Sequence, residues 1–127
     1  MIVVDTSVWV ASFRGRDQDL ADRLSELLDG DEVFLPAPVR VELLSGASKR
    51  TLPLLRRTLS ALPVLFPGRE TWQLIEDWLE VAVRSGDRFS VGDLLIAALA
   101  NENSASLWSL DGDFARMAKL RWISLYS

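Results

Sequence analysis

The chain contains neither cysteine nor histidine in its 127 residues, and these two gaps exclude more chemistry than any other feature of its composition. There is no disulfide framework and no thiolate nucleophile, and neither a Cys/His zinc site nor a Ser-His-Asp triad can be built. Catalysis is left to carboxylates, lysine, tyrosine, serine or threonine, and to a bound cation that prefers oxygen. Lysine is scarce as well. Lys49 and Lys119 stand alone, and neither neighbours a serine at a strand end, which argues against a Ser-Lys hydrolase. No apolar run reaches the ~18 residues that would span a membrane. The start, Met1-Ile2-Val3-Val4-Asp5, lacks the basic stretch of a signal peptide. The default expectation is a soluble, cytoplasmic protein with no membrane association.

What is present describes one globular domain over residues 1–127, with 49% hydrophobic residues and five tryptophans, enough to bury a core without staples. The net charge of −4 rules out a globally basic nucleic-acid binder. Local clusters remain, Arg14 with Arg16 and Lys49 with Arg50, Arg56 and Arg57. They can meet phosphate, or simply solvate helix ends.

Along the chain, strands alternate with helices. Ile2-Val3-Val4 is β-branched without alternation, as in a strand buried on both faces. Asp5, Thr6 or Ser7 can cap the helix that follows through Phe13. Residues 17 to 29 place Leu20, Leu24, Leu27 and Leu28 at helical spacing. Val33-Phe34-Leu35 reads as a strand, and Pro36-Ala37-Pro38 opens a helix carrying Glu42 about one turn in. Thr51 to Leu62 predicts a helix with Leu54, Leu55 and Leu59 as its buried stripe. After a short strand at Val64-Leu65-Phe66, a long helix from about Glu70 to Arg84 carries Trp72, Ile75, Leu79 and Ala82 beside Leu74, Trp78 and Val81. That apolar face is wide enough to suit a second subunit, or deeper burial within one. Ser90 to Ala100 is apolar on every side beyond Asp93, a core helix with one carboxylate at its mouth. Ala105 to Leu110, a short helix around Phe114, Met117 and Leu120, and Trp122 to Leu125 complete the chain. The expected fold is α/β in three α/β/α layers, around a mainly parallel sheet of four or five short strands.

In such a fold the strands leave the sheet at one edge and the helices start there, so distant residues share one rim. Asp5 and Asp111 follow strands directly, Glu42 lies one turn into a helix, Asp93 opens the core helix, and Asp113 is two residues past Asp111. Each aspartate alone also suits a helix start, where the macrodipole favours an acid by about 0.3–1 kcal/mol. Glu42 lies beyond the capping positions. Ionised carboxylates about 5 Å apart repel by roughly 3 kcal/mol per pair at an effective dielectric near 20, so a cluster demands compensation. Oxygen-only ligands select Mg²⁺ or Mn²⁺, and the natural chemistry of such ions in an acidic crevice is phosphodiester hydrolysis.

Four segments sharpen this reading: Val3-Val4-Asp5-Thr6-Ser7, Val41-Glu42-Leu43-Leu44-Ser45-Gly46, Asp93 to Ala100, and Ser109-Leu110-Asp111-Gly112-Asp113-Phe114. In this order and spacing they resemble the PIN-domain ribonucleases of the VapC type, toxins of toxin-antitoxin pairs, over essentially the whole length. The resemblance implies a Mg²⁺- or Mn²⁺-dependent endoribonuclease acting on RNA. It also implies a homodimer, and a small cognate antitoxin whose C-terminal segment enters the acidic groove. By motif, Asp5, Glu42 and Asp93 would be metal-binding acids and Asp111 the fourth, with Asp113 sharing or taking that last role. Ser7 and Ser109 would orient the acids, and Thr6 is a further candidate. Ser109 stands where the family more often has threonine, which keeps the hydroxyl. Trp9 and Trp108 lie near these motifs, as base-stacking platforms or as core.

Two other readings use the same acidic rim. A haloacid-dehalogenase-like phosphatase would make Asp5 a nucleophile, but it wants an acid where Ser7 stands. A receiver-like Mg²⁺-binding domain would want a second acid beside Asp5 and a lysine at a late strand end, whereas Lys119 falls in a helix pattern.

Overall fold

The computed structural model describes all residues 1–127. In chain order its elements are β1 (Ile2–Val4), α1 (Thr6–Arg14), α2 (Gln18–Asp29), β2 (Val33–Pro36), α3 (Ala37–Ser45), α4 (Leu52–Ser60), β3 (Val64–Leu65), α5 (Arg69–Ser85), α6 (Val91–Glu102), β4 (Ser106–Trp108), α7 (Gly112–Lys119) and β5 (Ser124–Leu125). The five strands form one sheet in the order β3-β2-β1-β4-β5, with every pairing parallel. β1 lies at the centre, which explains its unbroken β-branched run: all three residues are buried. The strand order reverses between β1 and β4, and at that switch point the carboxyl ends of the two strands open a crevice.

Helices cover both faces of the sheet. α6 is the most buried, with Leu94 and Ile96 through Ala100 all enclosed, and three of those side chains are alanines that let its neighbours approach. Against it α5 turns Ile75, Trp78 and Ala82 inward, each large apolar side chain contributing about 1.5–3 kcal/mol on burial. Trp78 stacks on Trp122 with ring centroids 4.6 Å apart and planes parallel to 1°. The remainder of the wide apolar stripe on α5 stays open: Trp72, Leu79 and Val83 are exposed. No helix is long and apolar enough to cross a membrane.

Several expectations need correction. Leu54 does not belong to the buried stripe of α4; it is 64% exposed. Leu59 is buried and Leu55 half-buried on one flank, and Leu54, about 100° around the helix from Leu55 at ~3.6 residues per turn, faces an open groove. The last strand begins at Ser124, not Trp122, because Arg121 takes a left-handed conformation (φ 64°) that turns Trp122 into the core. β4 ends at Trp108, since the next residue, Ser109, leaves the sheet to bond an acid side chain. Phe66 falls outside β3 and is exposed.

Candidate functional site

Asp5 is the deepest acid, buried to 6% exposure at the end of β1. Its backbone N–H donates to Trp108 O at 2.9 Å, continuing the β1–β4 ladder, and its side chain caps α1 by accepting the Ser7 N–H. Two hydroxyls converge on one of its oxygens. Ser7 Oγ donates to Asp5 Oδ2 at 2.7 Å and Ser109 Oγ donates to the same atom at 2.8 Å. With their single protons so committed, the serines act as acceptors elsewhere: Ser7 Oγ receives the Leu110 N–H and Ser109 Oγ the Asp111 N–H. The end of β1 and the turn after β4 are thereby sewn together. The bonds to the Asp5 carboxylate all go to Oδ2, and no protein donor reaches Asp5 Oδ1.

On the β4 side, Asp111 caps α7 by accepting the Asp113 N–H at 2.9 Å. Across the crevice Ser90 Oγ accepts the Asp93 N–H at 3.1 Å, so Ser90 caps α6 and Asp93 stands in its first turn. Asp93, Asp111 and Asp113 each bring a carboxylate oxygen within 4.8 Å of the other two. Asp93 carries the consequence: its pKa is pushed up from 3.8 to about 6, first by burial, then by the charge of Asp111, with smaller contributions from Asp5 and Asp113, against the pull of the Ser90 hydrogen bond. The first turn of α6 is also where backbone N–H groups and the dipole favour an acid, and burial together with the neighbouring charges overrides that preference.

Glu42 completes the rim from α3. The residue lies at the surface, but a methyl group placed on Gly92 would meet its Oε1 at 3.8 Å, so its carboxyl end is turned toward the start of α6. Burial of that end raises its pKa, the Thr6 hydroxyl beside it lowers it, and the charge on Asp5 raises it again. Thr6 Oγ1 is itself buried without a partner at full hydrogen-bond geometry. Glu42 and Asp93 both feel the charge of Asp5, and Asp93 also feels Asp111 and Asp113, so the five acids chosen from the sequence gather at one crevice.

The oxygen-only donor set fits a hard divalent cation. Asp5 keeps a free oxygen, three aspartate oxygens cluster within 4.8 Å, and Asp93 is held in a state whose charge is costly until something positive arrives. Beside Glu42 runs an apolar groove of about 460 Å³ between α1, α3 and α4, lined by Val10, Phe13, Leu43 and Leu54, with Arg14 at its edge.

The other sequence candidates fare differently. Trp9 is buried and cannot stack on a base; Trp108 is half-buried and packs against Tyr126, centroids 5.4 Å apart. Lys119 ends α7, roughly 10 Å of helix from the acids at ~1.5 Å per residue, which removes the lysine a receiver-like site would need. Sequence reasoning passed over Arg116, which forms ion pairs with both Asp87 and Asp113. The i,i+3 spacing of Asp113 and Arg116 was the one available signal.

The family model for the PIN domain matches residues 2–120. A VapC ribonuclease of Mycobacterium bovis is 32% identical over 125 residues, covering 94% of this chain and 93% of the relative. Among solved structures, VapBC2 from Rickettsia felis, bound to a DNA fragment from its promoter, superposes with a TM-score of 0.80 at 19% identity, over 99% of this chain and 98% of that one. VapBC-5 from Mycobacterium tuberculosis, of the VapBC family of toxin-antitoxin systems, gives a TM-score of 0.70 at 22% identity, over 97% and 94%.

Proposed function

We propose, from the premise that this chain belongs to the PIN-domain family and within it to the VapC ribonucleases, that Asp5, Glu42, Asp93 and Asp111 hold Mg²⁺ or Mn²⁺ for the hydrolysis of RNA. The chain is an endoribonuclease, the toxin of a toxin-antitoxin pair. The observation that supports these particular residues is the convergence of acids from β1, α3, α6 and the β4–α7 turn on one crevice, with the pKa of Asp93 raised to about 6 first by burial and then by the charge of Asp111.

A cation bound there supplies Lewis-acid chemistry, lowering the pKa of water and shielding charge on the phosphodiester. The chain's part is placement. Ser7 and Ser109 hold Asp5 by one oxygen and leave the other for the cation. Ser90 and Asp111 fix the helix starts from which Asp93 and Asp113 project. Asp113 shares the fourth position with Asp111, and Thr6 supports Glu42. The acidic rim repels RNA while its charge is uncompensated, so a bound cation would favour the binding of RNA.

The partners follow the same reading. A cognate antitoxin covers the crevice with its C-terminal segment, and the apolar groove beside Glu42 suits that segment's apolar side chains. Two copies meet through the open stripe of α5, and the pair works in the cytoplasm. The deciding experiment is cleavage of RNA in Mg²⁺ or Mn²⁺ by the wild type beside Asp93→Asn, with folding checked by circular dichroism. Cleavage should be lost in a folded variant. Equal cleavage by both would remove Asp93 from the metal site.

A further inference from the structure

Asp113 is gripped from outside the crevice. Arg116 Nη2 donates to Asp113 Oδ1 at 2.7 Å and to the Arg88 carbonyl at 3.3 Å, while its Nη1 donates to Asp87 Oδ1 at 2.9 Å. The guanidinium lies over the Phe89 ring, 4.6 Å from its centroid. Phe89 meets Trp122 edge-on at 5.6 Å, and Trp122 is the ring stacked on Trp78 of α5. Asp87 is fixed in turn. The left-handed Gly86 (φ 77°) ends α5, the Asp87 N–H returns to Ala82 O at 2.9 Å, and Ser85 Oγ donates to Asp87 Oδ2 at 2.8 Å. Arg116 thus has its own foundation in the core, independent of the acids it faces.

We infer that Arg116 is a positioning residue for cation binding, a clamp anchored by Asp87 and Phe89 that keeps the Asp113 carboxylate at the crevice against repulsion from Asp93 and Asp111. The inference rests on the reading of that crevice as a divalent-cation site. Asp113 is half-buried in the first turn of α7, free to swing toward water if released, and like charges within 4.8 Å push it that way. Removing a cation from the rim has an opposite effect, making the crevice more negative and so more attractive to metal. Arg116→Lys separates the two, because it keeps the positive charge and gives up the paired bonds to Asp113 and Asp87. A two-pronged guanidinium also grips in a way an ammonium cannot.

The test is Mn²⁺ binding to the full chain without RNA, followed by electron paramagnetic resonance of the free ion, with thermal unfolding measured alongside. Arg116→Ala should weaken Mn²⁺ binding by about 10-fold, the lower range for loss of a group that orients a metal ligand. Arg116→Lys should remain weakened although its charge is kept. Asp87→Asn, which touches none of the acids, should weaken binding by less than Arg116→Ala does and have no further effect in the Arg116→Ala background. It carries the same test if Arg116→Ala fails to fold. Unchanged or tighter Mn²⁺ binding in Arg116→Ala overturns the inference, as does wild-type affinity in Arg116→Lys, or lower melting temperatures with unaltered affinity. Asp93→Asn separates the two levels: if it binds Mn²⁺ like the wild type, the metal site itself is misread, whereas loss there with no effect at Arg116 leaves the site standing and removes the clamp.

Discussion

Ser109 donates its hydroxyl proton to Asp5 Oδ2 at 2.8 Å across 104 residues of sequence. The bond does two things at once, closing the switch point between β1 and β4 and holding Asp5 by one oxygen so that the other stays free. Ser109→Ala should lower RNA cleavage about 10-fold, as removal of a group that orients a ligand does, at a stability cost of about 1–2 kcal/mol for a lost bond to a charged group. Ser109→Thr should keep most of the activity because the hydroxyl is retained. Single-turnover cleavage and urea unfolding would check both.

Asp93 offers a test in which activity and stability move in opposite directions. Asp93→Asn removes one of the crowded charges, and its cation-free form should melt about 2–4 °C higher than the wild type, a gain limited by solvent screening over the exposed part of the group. Addition of Mn²⁺ should reverse the ranking, since only the wild type gains from binding. Differential scanning calorimetry with and without Mn²⁺ reads both effects.

The pH dependence has a definite sign. The folded-state pKa of Asp93 lies near 6, above its ordinary value of 3.8, so the folded chain holds this proton more tightly than the unfolded one. Without metal, the contribution of Asp93 to stability is therefore greatest below about pH 4, is lost as pH rises toward 6, and is flat above. Glu42, also raised, acts in the same direction. Melting temperatures of wild type minus Asp93→Asn, measured from pH 4.5 to 7.5, should fall through this window. Mn²⁺ affinity should rise through the same window, because the cation needs the carboxylate.

The open face of α5 yields a prediction about assembly. Val83 is 78% exposed and Leu79 lies one turn before it, so a second copy seated there would bury both. Sedimentation velocity should show a dimer for the wild type and a monomer for Val83→Glu with Leu79→Glu. A wild-type monomer at micromolar concentration would exclude this face as the contact.

The shared rim was legible in the sequence because parallel strands deliver residues at their carboxyl ends to one edge: Asp5 and Asp111 follow β1 and β4, while Glu42 and Asp93 lie near the starts of helices α3 and α6. The core helix from Val91 was legible for a similar reason, since six of its residues are buried. Leu54 was misplaced because helical spacing assigns a stripe without knowing how wide the covering surface is. The Arg116 clamp was invisible for another reason: Asp87 lies 29 residues away, and nothing local marks a carboxylate after a helix-ending glycine as the partner of a distant guanidinium. The backbone order β3-β2-β1-β4-β5 likewise depends on which strands pair, which strand patterns alone leave open.

β1 pairs with β2 on one side, and on the other side residues 2–4 pair with 106–108. A chain in which β4 has not yet joined β1 has Asp5 without the Ser109 hydroxyl and apart from Asp111 and Asp113, so the crevice is complete only when these distant stretches have paired.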